Sequence, residues 1–391
     1  MRIKRNVTMN RFIVLIVCLV LTGCVTVKDG TSRDDSKASS RILKSADVDE
    51  QKIRKMISRF GPLIYLHPEE QYLMDDPEYM LDHGVTLNWG LVEHETDFQK
   101  FKALKVRSMQ TSLKSFMNDV GEIKQAIEST SNPSDYRYWM NIHDSMKKGN
   151  MSRARAWVHV LPFDALSTEI QFWFFYPFNG PGRVEICASG KMCDDIWLKE
   201  NGRHYGDWEV VSILVSNNAE NLLGVYMSRH AGSETFFRQN DGKFRSADNS
   251  SRVLQVKGTG KEAHPVVYSA ISSHAHYPGA GNQDYERLSK KKYGVGTFSV
   301  DLFDRTKAGQ SFAAYHQNRY RIISSDMPGF TVQEPAWLSY DGYWGQYEKL
   351  QDKVKMGPKA KLLKVKVYTY KSVAKGPSGP KMKKKWAGAF Q

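Results

Sequence analysis

The sequence predicts a mainly β fold with helical additions (α+β), a β-sandwich core with N-terminal helices. Short runs rich in Val, Ile and aromatic residues dominate the chain after Trp157. Polar loops with Gly, Asn and Pro separate them. Clear helical spacing is confined to the first third of the chain. Strands and helices do not alternate regularly, so a doubly wound sheet is not expected. Of 391 residues, 41% are hydrophobic and 12% aromatic, enough to bury a sizeable core, which excludes a disordered chain.

Residues 1–23 carry Arg2, Lys4, Arg5 and Arg11 and no acid, around the apolar run Phe12 to Leu21. A helix of that length rises about 15 Å, against roughly 30 Å for a bilayer core. The segment is therefore expected to be a secretory signal rather than a span. It ends Leu21-Thr22-Gly23-Cys24, which is similar to a bacterial lipobox. Such a motif implies lipidation at Cys24, a membrane anchor in the cell envelope, and Cys24 as the first mature residue. Val25 rather than Asp follows, which points to the outer membrane if the cell is Gram-negative. Residues 24–45 are small and polar and read as a tether.

Residues 46–370 are expected to form a single domain. Asp47-Val-Asp-Glu50 resembles a helix cap, and Ile53, Met56, Ile57 and Phe60 follow at helical spacing. Gly61-Pro62 ends that helix, and Leu63 to Leu66 reads as a short strand. The stretch 97–129 carries an apolar stripe from Phe98 to Ile127 at spacing three and four, which predicts a core-facing helical insertion. Strands are predicted at Ala156 to Val160, Thr168 to Tyr176, Trp208 to Val215, Leu222 to Ser228, Val266 to Ser272 and Leu362 to Tyr370. Residues 371–391 contain Gly-Pro-Ser-Gly-Pro and Lys-Met-Lys-Lys-Lys and read as a flexible basic tail.

The net charge of +14 is unevenly placed. Lys353 to Gln391 holds 12 lysines and no acid, whereas the body between leader and tail is nearly neutral. No specific nucleic-acid partner is expected from such a body. The basic tail is expected to meet an anionic surface. Cys187 and Cys193, in a polar segment, are expected to close a small disulfide loop in an oxidising compartment.

No Gly-x-Ser-x-Gly elbow, His-Glu-x-x-His or phosphate loop occurs. The candidate chemistry lies in His204-Tyr-Gly-Asp207-Trp-Glu209. Residues two apart on a strand share a face, so Asp207 and Glu209 point one way and Trp208 the other. With His204 they suit a divalent cation, a general acid/base pair, or plain ion pairing at a strand edge. His274 and His276 share a face in the same way and follow a predicted strand. His67 and His230 also end predicted strands, so a histidine-rich pocket results if those ends meet.

Collinear motifs extend these readings. They include Tyr65-Leu-His-Pro-Glu-Glu70, Ala156-Trp-Val-His-Val160, Thr168 to Pro181, Gly206-Asp-Trp-Glu209 and Tyr226-Met-Ser-Arg-His230. Pro265-Val-Val-Tyr268, His274-Ala-His-Tyr-Pro278, Glu334-Pro-Ala-Trp-Leu338 and Trp344-Gly345 complete the set. The chain resembles a bacterial member of the vacuolar protein sorting-associated protein 62 family. It departs from the family pattern at Pro162 to Ser167, where a glycine-rich turn is usual, and in the stretch 97–129. More locally, His204-x-x-Asp-Trp-Glu209 is similar to the core of the necrosis- and ethylene-inducing-peptide-like cytolysins. That likeness implies a divalent cation, Ca or Mg rather than Zn, on His204, Asp207 and Glu209, with Asp194 or Asp195 as a further ligand. His274 and His276 are added candidates. The expected function is binding of a lipid head group or glycan at that site. The alternatives are a metal-assisted hydrolase, with Glu209 as base and His274 as acid, and a structural envelope scaffold.

Overall fold

A computed structural model describes residues 44–391 apart from 189–191, 231, 259–260, 294–295 and 355–367. The leader, Cys24, nearly all of the tether and most of the expected strand 362–370 lie outside the described residues. No described helix is long and apolar enough to cross a membrane.

The architecture is mainly β with helical additions, as predicted. The helix Glu50–Phe60 starts at Asp49, whose carboxylate accepts the Lys52 N–H at 2.8 Å. Ile53, Met56, Ile57 and Phe60 are buried along one face. Gly61 ends the helix, and the strand Leu63–Tyr65 follows. That strand sits between His264–Ser269, to which it is parallel, and Ser311–Ala313, to which it is antiparallel. Val256–Lys257 and His276–Tyr277 complete a five-stranded sheet.

The larger sheet has eight strands. In spatial order they are Val253–Leu254, Phe244–Ser246, Gly232–Arg238, Leu222–Arg229, His204–Ser216, Ser167–Asn179, Ala156–Pro162 and Tyr320–Ser325. The last pairs parallel with its neighbour. The two central strands pair over their whole length, and every residue of Ser167–Asn179 is buried. Such a strand needs cover on both faces.

On one face Val158, Phe172, Phe174, Val211 and Ile213 meet Ile64, Val267 and Phe312 of the smaller sheet. This is the sandwich core. On the other face Trp157, Trp173, Phe175 and Trp208 meet Trp337, Trp344 and Trp386, with Phe116, Val120 and Ile123 from a helix.

The stretch 97–129 is not one helix. Lys102–Gln110 is a strand beside Val85–Glu93, which in turn pairs with Tyr136–Ile142. Only Phe116–Glu128 is helical, and it buries Phe116, Val120, Ile123 and Ile127. The free edge of Val85–Glu93 presents backbone groups that need partners, and residues 102–110 satisfy them. An isolated short helix has no comparable support. The cysteine segment is likewise a strand pair: Arg183–Ala188 and Met192–Trp197 place Cys187 opposite Cys193 in register.

Residues 371–391 are also not a free tail. The strand Tyr368–Ala374 pairs with Glu348–Val354, and the chain then docks on the tryptophan face. Trp386 is 8% exposed and stacks on His159 at 4.0 Å and 7°. The buried Glu169 carboxylate accepts the Ala389 N–H at 2.9 Å, the Ser212 hydroxyl at 2.7 Å and the Gln171 amide at 3.0 Å. A buried carboxylate needs such donors, and the terminal segment supplies one. The lysine-rich composition concealed two apolar anchors, Trp386 and Ala389. Replacing Trp386 by Ala should lower stability by about 3–5 kcal/mol. Urea unfolding measures it, and an unchanged midpoint would mean that the segment does not dock.

Candidate functional site

The strand His204–Ser216 divides its side chains between the two faces. Trp208 packs among Trp337 and Trp344, with ring centroids 6.0 and 5.2 Å away. Asp207 and Glu209 take the opposite face, on the side of Val211 and Ile213. Gly206 has φ +66, and an added Cβ would lie 1.7 Å from the Trp344 carbonyl oxygen, so only glycine fits.

Beneath the surface lies a buried polar network. His274 Nδ1 is 3.1 Å from Asp207 Oδ2, and His274 Nε2 is 3.0 Å from the Tyr72 carbonyl oxygen. The Tyr176 ring stacks flat on the His274 ring at 3.7 Å. Glu70, 3.9 Å from His274 Nε2, accepts the Ser272 N–H at 2.6 Å. Glu209 accepts the Ser228 hydroxyl.

Burial opposes charge on Asp207, Glu209, His274 and His276, and neighbours outweigh it for Asp207 and His274 but not for Glu209 and His276. For Asp207 burial is outweighed by the His274 hydrogen bond and the charges of His204, His274 and Lys383, so its pKa is lowered. For His274 burial is outweighed by the Asp207 hydrogen bond and the charges of Glu70, Asp207 and Glu209, so its pKa is raised. Glu209 is pushed up to about 7 by burial and by the Asp207 charge. His276 is fully buried and drops to about 4 through burial. Neither of its ring nitrogens has a hydrogen-bond partner of ordinary geometry, and the Val210 backbone is the polar group that most favours its charged form.

Over this network opens a pocket of about 130 Å³. His204, His230, Ser273, Asp304, Arg183 and Arg305 line it. His204 Nδ1 lies 2.7 Å from the Gly206 carbonyl oxygen, which fixes that nitrogen as the donor and leaves Nε2 the lone pair. Burial lowers the His204 pKa. His230 Nε2 is 2.7 Å from Asp304 Oδ2, which also accepts the Tyr277 hydroxyl at 2.8 Å. Burial works against charge on His230, but the Asp304 hydrogen bond and the charges of Asp304, Glu209 and Asp207 raise its pKa. Arg183 and Arg305 both bind Asp195, with Arg183 at 2.5 Å. Arg305 Nε has no hydrogen-bond partner.

The strand-end histidines thus come together only in part. His204 and His230 line the pocket, His274 and His276 lie buried, and His67 caps a local turn by accepting the Glu69 N–H at 3.1 Å. Glu209 and His274, expected as base and acid, do not line the pocket. Among the described residues no group of three His, Cys, Asp or Glu side chains is arranged to hold a metal ion. His274 is spent on Asp207, Ser228 on Glu209, and Asp195 on the two arginines. Among the described residues His204, Asp207 and Glu209 are thus not grouped as a cation site, although the Asp207 charge acts on both of the others. Sequence reasoning missed Asp304, Arg305 and Arg183, because nothing along the chain ties them to His230. Glu70 was within reach, since it closes the Tyr65 to Glu70 motif.

The family pattern of the vacuolar protein sorting-associated protein 62 matches residues 127–389. The chain belongs to this family. That stretch holds every residue of the pocket. The chain is 29% identical over 185 residues to the vacuolar protein sorting-associated protein 62 of Saccharomyces cerevisiae. That alignment covers 44% of the chain and 34% of the yeast protein. It is 22% identical over 336 residues to the putative vacuolar protein sorting-associated protein TDA6 of the same yeast, covering 78% of the chain and 65% of the relative. The chain thus spans less than two thirds of either relative. No solved structure matches it.

The raised Glu209 pKa has a sign that can be measured. A carboxyl raised from 4.5 to about 7 binds more protons folded than unfolded across that window. Its stabilising contribution is complete below the window and is lost as pH rises through it. Glu209→Gln removes this loss. Melting curves from about pH 4 to pH 8 should show wild type falling relative to the variant by several degrees. A constant difference would contradict the assignment.

Proposed function

We propose that the protein is a lipid-anchored envelope member of the vacuolar protein sorting-associated protein 62 family that binds a polar, anionic head group in the His204–His230 pocket. One observation carries this reading: two arginines that share the single Asp195 and two imidazoles line one small cavity, and the carboxylate in that lining, Asp304, is taken up by His230, Ser273 and Tyr277. Guanidinium groups suit phosphate and carboxylate oxygens. At about 130 Å³ the cavity is smaller than the roughly 300–1,000 Å³ typical of drug-sized ligands, which favours a head group over a whole lipid. Titration calorimetry with glycerol 3-phosphate should give binding that weakens at least about tenfold, or 1.4 kcal/mol, in Arg305→Ala. No heat, or an unchanged affinity in the variant, would leave the scaffold reading in its place.

A hydrolase is the second reading, favoured by the histidine pair. One imidazole is kept neutral with Nε2 as acceptor and the other is biased toward its charged form, the division expected of a base and an acid. On a phosphodiester, His204 would take a proton from water as its oxygen bonds to phosphorus, and His230 would protonate the leaving oxygen. This replaces Glu209 and His274 in those roles. A Ca or Mg ion on His204, Asp207 and Glu209 would have to use carboxylate lone pairs that His274 and Ser228 leave open. A rise in melting temperature on adding either ion would restore that site.

The leader reading supports an anchor at Cys24, and the strand register supports a Cys187–Cys193 disulfide. Surface lysines such as Lys371 and Lys384 favour contact with an anionic membrane, about 1 kcal/mol each. Intact mass of the protein extracted from membranes tests anchor and disulfide together. The expected species begins at Cys24, carries acyl chains and gains two hydrogens on reduction. A chain that retains residues 1–23 would refute the anchor.

A further inference from the structure

The end of the large sheet opposite the His204 pocket carries three turns. They are residues 163–166 between Ala156–Pro162 and Ser167–Asn179, residues 217–221 after His204–Ser216, and residues 239–243 after Gly232–Arg238. His204 pairs with Asn179 at one end of the central strands, and Ser216 pairs with Ser167 at the other. A strand of 13 residues puts the two ends roughly 40 Å apart.

Apolar side chains gather at this end. Phe163 is 38% exposed, Leu166 51% and Phe237 37%. The Phe390 ring lies between Phe163 and Phe237, with centroids 6.3 and 6.1 Å away. Single exposed apolar residues are ordinary, but a contiguous group marks a contact surface. Cations stand beside it. Lys385 Nζ is 4.9 Å over the Tyr226 ring, which also meets Phe390 at 6.4 Å. The Arg238 guanidinium is held by the neutral Asn221 side chain at 2.8 Å, and Lys243 is exposed. The acids of these turns are engaged. Asp164 accepts the Leu166 N–H and the Ser167 hydroxyl, Asp241 pairs with Arg245, and Glu220 pairs with Lys261.

The point where the chain enters the fold selects the partner. The Ser45 N–H donates to the Ala165 carbonyl oxygen at 3.1 Å, and the Ser45 hydroxyl donates to the Asp164 carbonyl oxygen at 2.6 Å. The segment that follows Cys24 thus joins the fold at the turn that bears Phe163 and Leu166. Residues 25–44 separate Cys24 from this point, and a polar coil of that length spans roughly 25 Å. A lipid on Cys24 would hold this end of the sheet, not the pocket, next to the bilayer.

We propose that this end is a membrane-docking face. Phe163, Leu166 and Phe237 enter the interface of an anionic bilayer, while Arg238, Lys243 and Lys385 meet its phosphates. The choice of a bilayer over a protein partner rests on the anchor reading at Cys24. The anchor attaches the protein, and the face orients it with the His204 pocket turned away from its own leaflet.

Co-sedimentation with vesicles of phosphatidylglycerol and phosphatidylcholine, against phosphatidylcholine alone, tests the face on the mature chain carrying Cys24→Ser. The lipid is then absent, so the face can fail while the intact mass still shows the anchor, and the reverse. The chain should bind the anionic vesicles and weaken as salt rises. Phe163→Ser combined with Leu166→Ser, both in an exposed turn, should weaken binding at least about tenfold at an unchanged melting temperature. Val106→Ser, 45% exposed on the strand Lys102–Gln110, should leave it unchanged. No binding, equal binding to phosphatidylcholine alone, indifference to the double variant, or a dimer in solution that the double variant dissolves would overturn the proposal.

Discussion

The pairing of Ser167–Asn179 with His204–Ser216 is the interaction on which the molecule depends. These two strands form the middle of the large sheet and are covered on both faces. Alternation along them sorts aromatic bulk to each side. Phe172, Phe174 and Tyr176 face the smaller sheet, while Trp173 and Phe175 face the tryptophan cluster. A slip by one residue would exchange the two sets and drive Asp207 and Glu209 into the tryptophans. The register of this one pair therefore fixes both cores and the polar network together.

Burying that network is costly unless its members satisfy one another. The structure meets the cost with loops drawn from distant parts of the chain. Glu70 and Tyr72 come from the segment after the first strand, and His274 from the segment after His264–Ser269. Ser272 and His274 adopt positive φ values of 68 and 58. Non-glycine residues hold such conformations only where surrounding contacts over-determine them. Here the contacts are the Asp207 hydrogen bond, the Tyr72 carbonyl and the Tyr176 ring. The same arrangement leaves His204 and His230 at the rim, where the cavity opens.

The terminal segment performs a related service on the opposite face. Its Ala389 N–H reaches Glu169, and Lys383 donates to the Trp208 carbonyl oxygen at 2.7 Å. The Lys383 charge also helps keep Asp207 ionised. A lysine run that composition assigns to solvent is thus joined to the central strand from behind.

The sequence by itself determined the first helix, the central strands and the division of Asp207 and Glu209 from Trp208. Periodicity and caps are local, and burial of both strand faces leaves no competing solution. It also carried the family motifs. It did not determine the fate of residues 102–110, the docking of Trp386, or the partners of the histidines. Those depend on which edge, face or carboxylate waits elsewhere in the fold. An open edge at Val85–Glu93 turned a helical pattern into a strand. A buried Glu169 drew in the terminus. Asp304 and two arginines, brought by distant strands, made the pocket. Hydrogen bonds between residues far apart in the chain leave no period in the sequence, so only the tertiary structure could decide them.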